Sequence, residues 1–465
     1  MDKYSIAIIG SGPAGYVGAI KAARNGTPTC IIEKSNFGGV CLNTGCIPTK
    51  SFVASAKAIR NARRSRDFGF TIDGNIRVDM PDLQKRKDRI VDIERKGLER
   101  LVRDSGVDII EGAASFIDAH DLAINSAQGE RIIFAKNTII ATGSVSASLP
   151  FMPFDGAKVF SGEDILSLES IPASMVIVGG GYIGCEYASL FATFGTKVTV
   201  IEALPRILNN ADEEISEILA RELKKAGVKV LSGRKISSAE IDETVSLTLE
   251  DGTVVSAEVA LVAIGRKAHT ASLGLENAGV NVQKNGTIEV NNEMMTTAQG
   301  IYAVGDVAGE PMLAHVASAE CRVAVENALG RHLIMDYGVI PSAIYTHPEI
   351  GSIGLTEADA RAKGMEVNIG RVLMRSVGIS HAAGEISGMA KIVCDAISDS
   401  IVGVHIIGER ATDLIHEAGL ALFQDLSAST LSQMIHAHPT FSEVLSEAAL
   451  DTHGDSIYTA KTSVS

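Results

Sequence analysis

Cysteine is scarce, with six residues in a chain of 465. That is too few for disulfides to hold together a fold of this size. No apolar run reaches 18 residues, which argues against a helical membrane span. Glycine follows no G-X-Y period, which excludes a collagen-like chain. Basic residues are outnumbered: 42 Lys and Arg against 56 Asp and Glu give a formal net charge of −14. A field of that sign disfavours sequence-independent binding to nucleic-acid backbones. The basic stretch from Arg60 to Arg66 reads as a solvated helix face. Lys3 and the apolar residues after it superficially resemble a secretory leader, but Gly10, Gly12, Pro13 and Gly15 break the run. Without a leader and with few cysteines, the expected setting is reducing and cytoplasmic.

What is present is a globular composition, with 46% hydrophobic and 21% charged residues. The length suggests about three domains. The 45 glycines against 12 prolines point to many tight turns and close backbone approaches to ligands.

Tyr4 to Ile9 reads as a short buried parallel strand, and the Ala-rich stretch after Gly15 as a helix to about Asn25. Between them stands Gly10-Ser11-Gly12-Pro13-Ala14-Gly15, and a second strand, Thr29 to Ile32, ends at Glu33. This is G-x-G-x-x-G in its strand–turn–helix context. Gly10 serves the tight turn and Gly12 the approach to a pyrophosphate. Gly15 serves close helix packing, the helix start favours the phosphate charge, and Glu33 suits ribose hydroxyls. The device recurs 169 residues later: Gly10 pairs with Gly179, Gly15 with Gly184, Gly26 with Gly195 and Glu33 with Glu202. One such motif is weak evidence, but two in register with their acidic partners imply two dinucleotide-binding folds. A strand leading to Thr142-Gly143 closes the first unit, and one leading to Gly265-Arg266 closes the second. The first is longer, and residues 37–101 supply the surplus as an insertion.

The insertion carries Cys41 and Cys46 in a C-x4-C spacing, followed by Ile47-Pro48-Thr49-Lys50. Zinc fits poorly, because no second cysteine pair and no nearby histidine stand at ligand spacing. Two readings remain, a redox pair beside a bound nucleotide and two inert buried thiols. Helix starts and cations lower thiol pKa values, which suits the first. Pro48 fits a first helical turn, with the helix running through Ala62. Cys30, Cys185, Cys321 and Cys394 have no close partner in sequence and read as small core residues. Near the C-terminus, His436 and His438 precede Pro439, with Glu443 in a helical stretch beyond. Either histidine reads as a turn residue, or as a base oriented by the glutamate.

Together these segments resemble the two-cysteine flavoprotein disulfide reductases over nearly the whole chain. Within that family they resemble the dihydrolipoamide dehydrogenases. The match includes Gly10 to Gly15 with Glu33, Gly39 to Lys50, and Gly179 to Gly184 with Glu202. It also includes Gly300 to Asp306, Met312 to His315, and His436 to Glu443. The resemblance implies an α/β chain with two Rossmann-like domains, one for FAD and one for NAD, and a C-terminal α+β dimerisation domain. The expected boundaries are 1–145 and 272–338 for a discontinuous FAD domain, 146–271 for the NAD domain and 339–465 for the dimerisation domain. For FAD it implies Gly10, Gly12, Gly15, Glu33, Lys50, Thr142, Gly143, Asp306, Leu313, Ala314 and His315. For NAD it implies Gly179, Gly181, Gly184, Glu202 and Gly265; Glu202 favours NAD over NADP by repelling a 2′-phosphate, though Arg206 weakens the case.

The implied chemistry is oxidation of dihydrolipoamide, with electrons passing through FAD to NAD⁺. His438, helped by Glu443, would take a thiol proton, and the thiolate would attack Cys41 of the Cys41–Cys46 disulfide. Cys46 would face the flavin, and Lys50 and Glu186 would form an ion pair near it. Each site would take its cysteines from one subunit of a homodimer and its His–Glu pair from the other. No metal is implied. Expected partners are the lipoyl-bearing and subunit-binding domains of a 2-oxo acid dehydrogenase complex or a glycine cleavage system. No lipoyl-like segment precedes the Tyr4 strand, so the lipoyl arm would come from a partner. Three departures from the family pattern stand out: Val40, Val316 and Ala268-His269. Rivals are a glutathione-reductase-like enzyme and a non-catalytic flavoprotein assembly subunit. Ile47-Pro48-Thr49-Lys50 and Glu202 disfavour the first. The retained cysteines, fingerprints and His–Glu pair disfavour the second.

Overall fold

The opening Ile-rich run folds as the strand Asp2–Ile9, inside a seven-stranded sheet, in a computed structural model that describes residues 2–458. It runs parallel to Thr29–Glu33 on one side and to Gly129–Ile140 on the other. Its two neighbours lie on opposite sides, so the strand order reverses at the C-terminal end of Asp2–Ile9, where α/β sheets open a crevice for ligands. Thr29–Glu33 is buried at every position, as expected for a parallel strand covered on both faces. Ile301–Ala303 joins the same sheet beside Gly129–Ile140, although about 160 residues separate them along the chain.

The intervening chain builds a second sheet of five parallel strands, with Ser174–Val178 between Lys197–Glu202 and Val259–Val262. The two sheets thus share one local plan. Where the chain passes between them, Ser144–Ser146 pairs antiparallel with Arg266–Ala268. The inserted residues form the helices Cys46–Arg63 and Met80–Asp104, packed as a pair. From residue 342 a five-stranded antiparallel sheet, centred on Ile401–Gly408, packs against Ala411–Phe423 and Glu443–Asp451. The last residues of the expected dimerisation span, 459–465, lie outside the described residues.

Apolar cores flank the three large sheets, and one of them runs from the second sheet through Phe52 of the insertion to Ile350 and Ile407 of the C-terminal sheet. A buried ion cluster fastens the second sheet's unit to the C-terminal one: Lys391, only 3% exposed, lies 2.9 Å from Asp212 and 2.6 Å from Glu214. Cys30, Cys185, Cys321 and Cys394 are fully buried. The basic stretch after Arg60 is not simply solvated, because Arg64 pairs with Glu385 at 3.0 Å and donates to the Gly384 carbonyl. Among the described residues no helix is long and apolar enough to cross a membrane.

Candidate active site

The first glycine turn is dictated by backbone proximity. Gly10 has φ of +104°, and a Cβ there would lie 2.3 Å from the Ala141 carbonyl oxygen. A Cβ on Gly15 would lie 1.9 Å from the Gly10 carbonyl oxygen, so only glycine lets the helix Pro13–Arg24 seat on the turn. Gly12 differs: a Cβ there would meet no protein atom within 4 Å and would project into open space at the helix start. The second copy reproduces this. Gly179 has φ of +105° and a Cβ would be 2.3 Å from Ala263 O, Gly184 packs on Gly179, and Gly181 faces open space.

The acidic partners hold their turns. Glu33 Oε2 accepts from Ser11 N at 3.0 Å and Ser11 Oγ at 2.6 Å. Glu202 Oε2 accepts from Gly180 N, and its Oε1 accepts from Leu204 N at 2.7 Å. Arg206 donates to the Asn209 and Ala211 carbonyls, which turns its guanidinium toward its own loop.

A cavity of about 560 Å³ opens over the first turn. Gly10, Gly12, Glu33, Thr142, Gly143, Asp306 and Ala314 line it, together with Cys41, Cys46, Lys50 and Glu186. Gly15 is buried beneath the turn, Leu313 precedes the helix Ala314–Ala328, and His315 Nε2 lies 2.9 Å from the Pro341 carbonyl; none of these three lines the cavity. Val316 is 2% exposed, so an apolar residue suits its place. His269 lies 3.2 Å from Lys34 Nζ, and both line the cavity. The open space at Gly12, the helix start behind it and the acidic strand end fit an FAD; the second turn, with open space at Gly181 and Gly265 and with Glu202, fits an NAD.

Cys46 begins the helix Cys46–Arg63, and Cys41 lies in the short helix Gly39–Asn43 before it. Both are free thiols, with Cys46 the more exposed and Cys41 half-buried. The two are inequivalent. Hydrogen bonding from Cys41, helped by the Lys50 charge, lowers the Cys46 pKa to about 7, outweighing the desolvation by the atoms around it. The same interaction, with burial, raises that of Cys41. Lys50 stands one helical turn after Cys46. Its ammonium lies 2.9 Å from Glu186 Oε2, and Glu186 is 6% exposed. Sequence reasoning did not find Tyr345. Its ring centroid is 4.4 Å from Lys50 Nζ, and its N–H donates to Glu186 Oε1 at 2.8 Å.

His438 Nδ1 lies 2.8 Å from Glu443 Oε1, and Thr440 N–H donates to the other carboxylate oxygen at 2.8 Å. Burial alone would raise the Glu443 pKa, but these hydrogen bonds outweigh it and hold the group below the usual carboxylate range. The His438 side chain is 72% exposed within one chain, and neither His438 nor Glu443 lines the cavity of its own chain. His436 is not a surface turn residue: its side chain is 5% exposed, with Nε2 2.7 Å from Glu417 and Nδ1 3.0 Å from the Met434 carbonyl. The structure therefore brings Cys41, Cys46, Lys50 and Glu186 together, and His438 with Glu443, but not the two groups with each other.

The family profile described as pyridine nucleotide-disulphide oxidoreductase matches residues 4–321, and its dimerisation domain matches residues 340–449. A dihydrolipoyl dehydrogenase of Bacillus subtilis is 40% identical, over 98% of this chain and 99% of its own length. One of Chlamydia pneumoniae is 39% identical, over 97% of each chain. Among solved structures, LpdA of Mycobacterium tuberculosis superposes with a TM-score of 0.90 at 26% identity, over 97% of this chain and 99% of that one. The HOCl-induced flavoprotein disulfide reductase RclA of Escherichia coli, as its Cu(II) complex, gives 0.88 at 29%, with the same coverage.

Proposed function

This chain belongs to the pyridine nucleotide-disulphide oxidoreductases, and on that premise we propose that it oxidises protein-bound dihydrolipoamide to lipoamide with NAD⁺. The observation that carries the reading is the thiol pair Cys41–Cys46, which opens with Lys50–Glu186 onto the cavity of the first fingerprint. Residues 1–145 and 272–338 form the FAD unit, 146–271 the NAD unit and 339–465 the dimerisation unit. Bound FAD supplies the two-electron link between the thiol pair and NAD⁺.

In the oxidised enzyme, His438 takes a proton from one substrate thiol, and Glu443 orients the ring and stabilises the imidazolium. The substrate thiolate attacks Cys41 Sγ, the Cys41–Cys46 bond breaks, and the electron pair leaves on Cys46. The low pKa of Cys46 supports its role as that leaving thiolate, and Lys50 holds its charge. The second substrate thiol, its proton lost to solvent, then displaces Cys41, which leaves with the proton held by His438, and the lipoamide disulfide closes.

The His–Glu pair reaches the cysteines of a second subunit. Leu420, Phe423 and Ile435 support this: they stand 62%, 67% and 96% exposed in one chain, on the unit that carries His438. The lipoyl group arrives on a partner domain of a 2-oxo acid dehydrogenase complex or of glycine cleavage, in the cytoplasm. The charge of −14 favours docking to a basic binding domain.

Anaerobic titration of the purified holoprotein tests the activity. Dihydrolipoamide should raise a long-wavelength thiolate-to-flavin absorbance, and NAD⁺ should abolish it by reoxidation. No reduction by dihydrolipoamide, with NADPH-dependent reduction of glutathione disulfide instead, would overturn the reading.

A further inference from the structure

Arg266 stands on the ribbon where the chain returns from the second sheet's unit to the first, and its side chain is only 13% exposed. Its guanidinium meets both units. Nε donates to Ser144 Oγ at 2.6 Å, and Nη2 donates to the Ser144 carbonyl at 2.9 Å. Nη1 lies 2.9 Å from Glu163, which follows the strand Val159–Phe160 of the second sheet. The Ser144 hydroxyl, its lone pair taken by Arg266, donates to Asp306 Oδ2, and Asp306 lies 3.8 Å from Arg266 Nε. Three of the guanidinium's nitrogens are thus committed, one toward the NAD unit and two toward the cavity wall that carries Asp306.

We propose that Arg266 is a positioning residue for transfer between the two cofactors, locking the NAD unit to the point on the FAD unit where Ser144 orients Asp306. The inference rests on the assignment of the two units to FAD and NAD. The units are also tied through the inserted helices, by Lys50 to Glu186, Thr49 to Tyr187, Arg63 to the Thr193 carbonyl and Gln84 to the Leu166 and Leu168 carbonyls. Those ties hold the NAD unit from the insertion, and the Arg266 fork holds it directly at the cavity wall, at Ser144. Hydride transfer needs its reacting atoms within about 3–3.5 Å, so a small rotation of one unit against the other is costly in rate. Electron transfer from the thiols is indifferent to that rotation, because Cys41, Cys46 and the first fingerprint all sit on one unit. A planar fork making three differently directed contacts cannot be replaced by an ammonium, so lysine should not substitute.

The test separates the two half-reactions in the holoenzyme. In Arg266→Lys, anaerobic reduction of the bound flavin by NADH should slow about tenfold or more, while reduction by dihydrolipoamide should change less than twofold. Glu163→Ala removes the contact that fixes the Arg266 fork on its own unit and leaves the crossing contacts to Ser144 in place. It should give the same split with an unchanged FAD dissociation constant, measured by fluorescence titration of the apoprotein. It also keeps the test open if Arg266→Lys does not hold flavin. Equal slowing of both half-reactions in Glu163→Ala, or no slowing of the NADH reaction in either variant, would overturn the inference. If wild type is not reduced by dihydrolipoamide, the substrate assignment fails instead. Dithiothreitol then serves as the dithiol, and the comparison stands.

Discussion

The Lys50 ammonium lies 2.9 Å from the Glu186 carboxylate, and Lys50 sits one helical turn after Cys46. The inserted helix thus delivers a cation to a thiol, and a helix of the second sheet's unit supplies the counter-ion. The Cys46 thiolate should therefore form near pH 7 in the reduced protein. The sign of the variants follows. Removing the cation in Lys50→Met, or the hydrogen bond in Cys41→Ala, disfavours the thiolate, so more alkaline solution is needed to form it. Each should move the midpoint of the ultraviolet thiolate absorbance upward, by roughly one pH unit for Lys50→Met. A midpoint that stays near 7 in both would show that neither neighbour sets it.

The His438–Glu443 pair and the cysteine pair do not meet within one chain, which makes complementation decisive. Cys46→Ala and His438→Ala homodimers should each lose dihydrolipoamide oxidation by about a thousandfold or more. Heterodimers of the two variants should regain one working site of two, because one intact cysteine pair then faces one intact histidine. Mixed subunits that exchange, as shown by mass, yet stay inactive would rule out the shared site.

Glu202 holds Gly180 N–H with one oxygen and keeps a carboxylate where a ribose would lie, while Arg206 is engaged by its own loop. Glu202→Ala should lower kcat/KM for NAD⁺ and narrow the preference over NADP⁺ by roughly 10–100-fold, as loss of a ribose acceptor and of a repelling charge implies. Steady-state kinetics with both nucleotides checks this. An unchanged ratio would place discrimination elsewhere.

The features legible in the sequence are those whose partners lie at fixed, short spacing. Gly15 and Glu33 announce their turn because they answer to Gly10 and Ser11 in one βαβ unit, and the copy at Gly179 repeats the pattern, whereas the close neighbour of Gly10 itself, the Ala141 carbonyl, lies far along the chain. Cys41 and Cys46 stand out by their C-x4-C spacing, which leaves a redox pair and two inert thiols open, and the family resemblance points to the first. Arg266, Tyr345 and Arg64 do not stand out. Their partners Ser144, Lys50 and Glu385 lie 122, 295 and 321 residues away, and no periodicity links such positions. His436 illustrates the same limit at shorter range. Its partner Glu417 sits on the helix Ala411–Phe423, 19 residues upstream, and only the packed fold turns the two together.

The fingerprint glycines separate into two physical kinds, and substitution should tell them apart. Alanine at Gly15 would place Cβ 1.9 Å from a backbone oxygen of Gly10, which no rotamer relieves. The turn must shift, at a cost of about 3 kcal/mol or more, in apoprotein and holoprotein alike. Gly12 has φ of −65° and ψ of −174°, open to any residue, and its Cβ would touch no protein atom. Gly12→Ala should therefore leave apoprotein stability within about 0.5 kcal/mol of wild type. That methyl instead fills the space at the helix start where a pyrophosphate would approach, so FAD affinity should fall by about tenfold or more. Denaturant unfolding of the apoprotein and fluorescence titration with FAD read the two effects separately. Normal FAD binding by Gly12→Ala would mean that the phosphates do not lie against this turn.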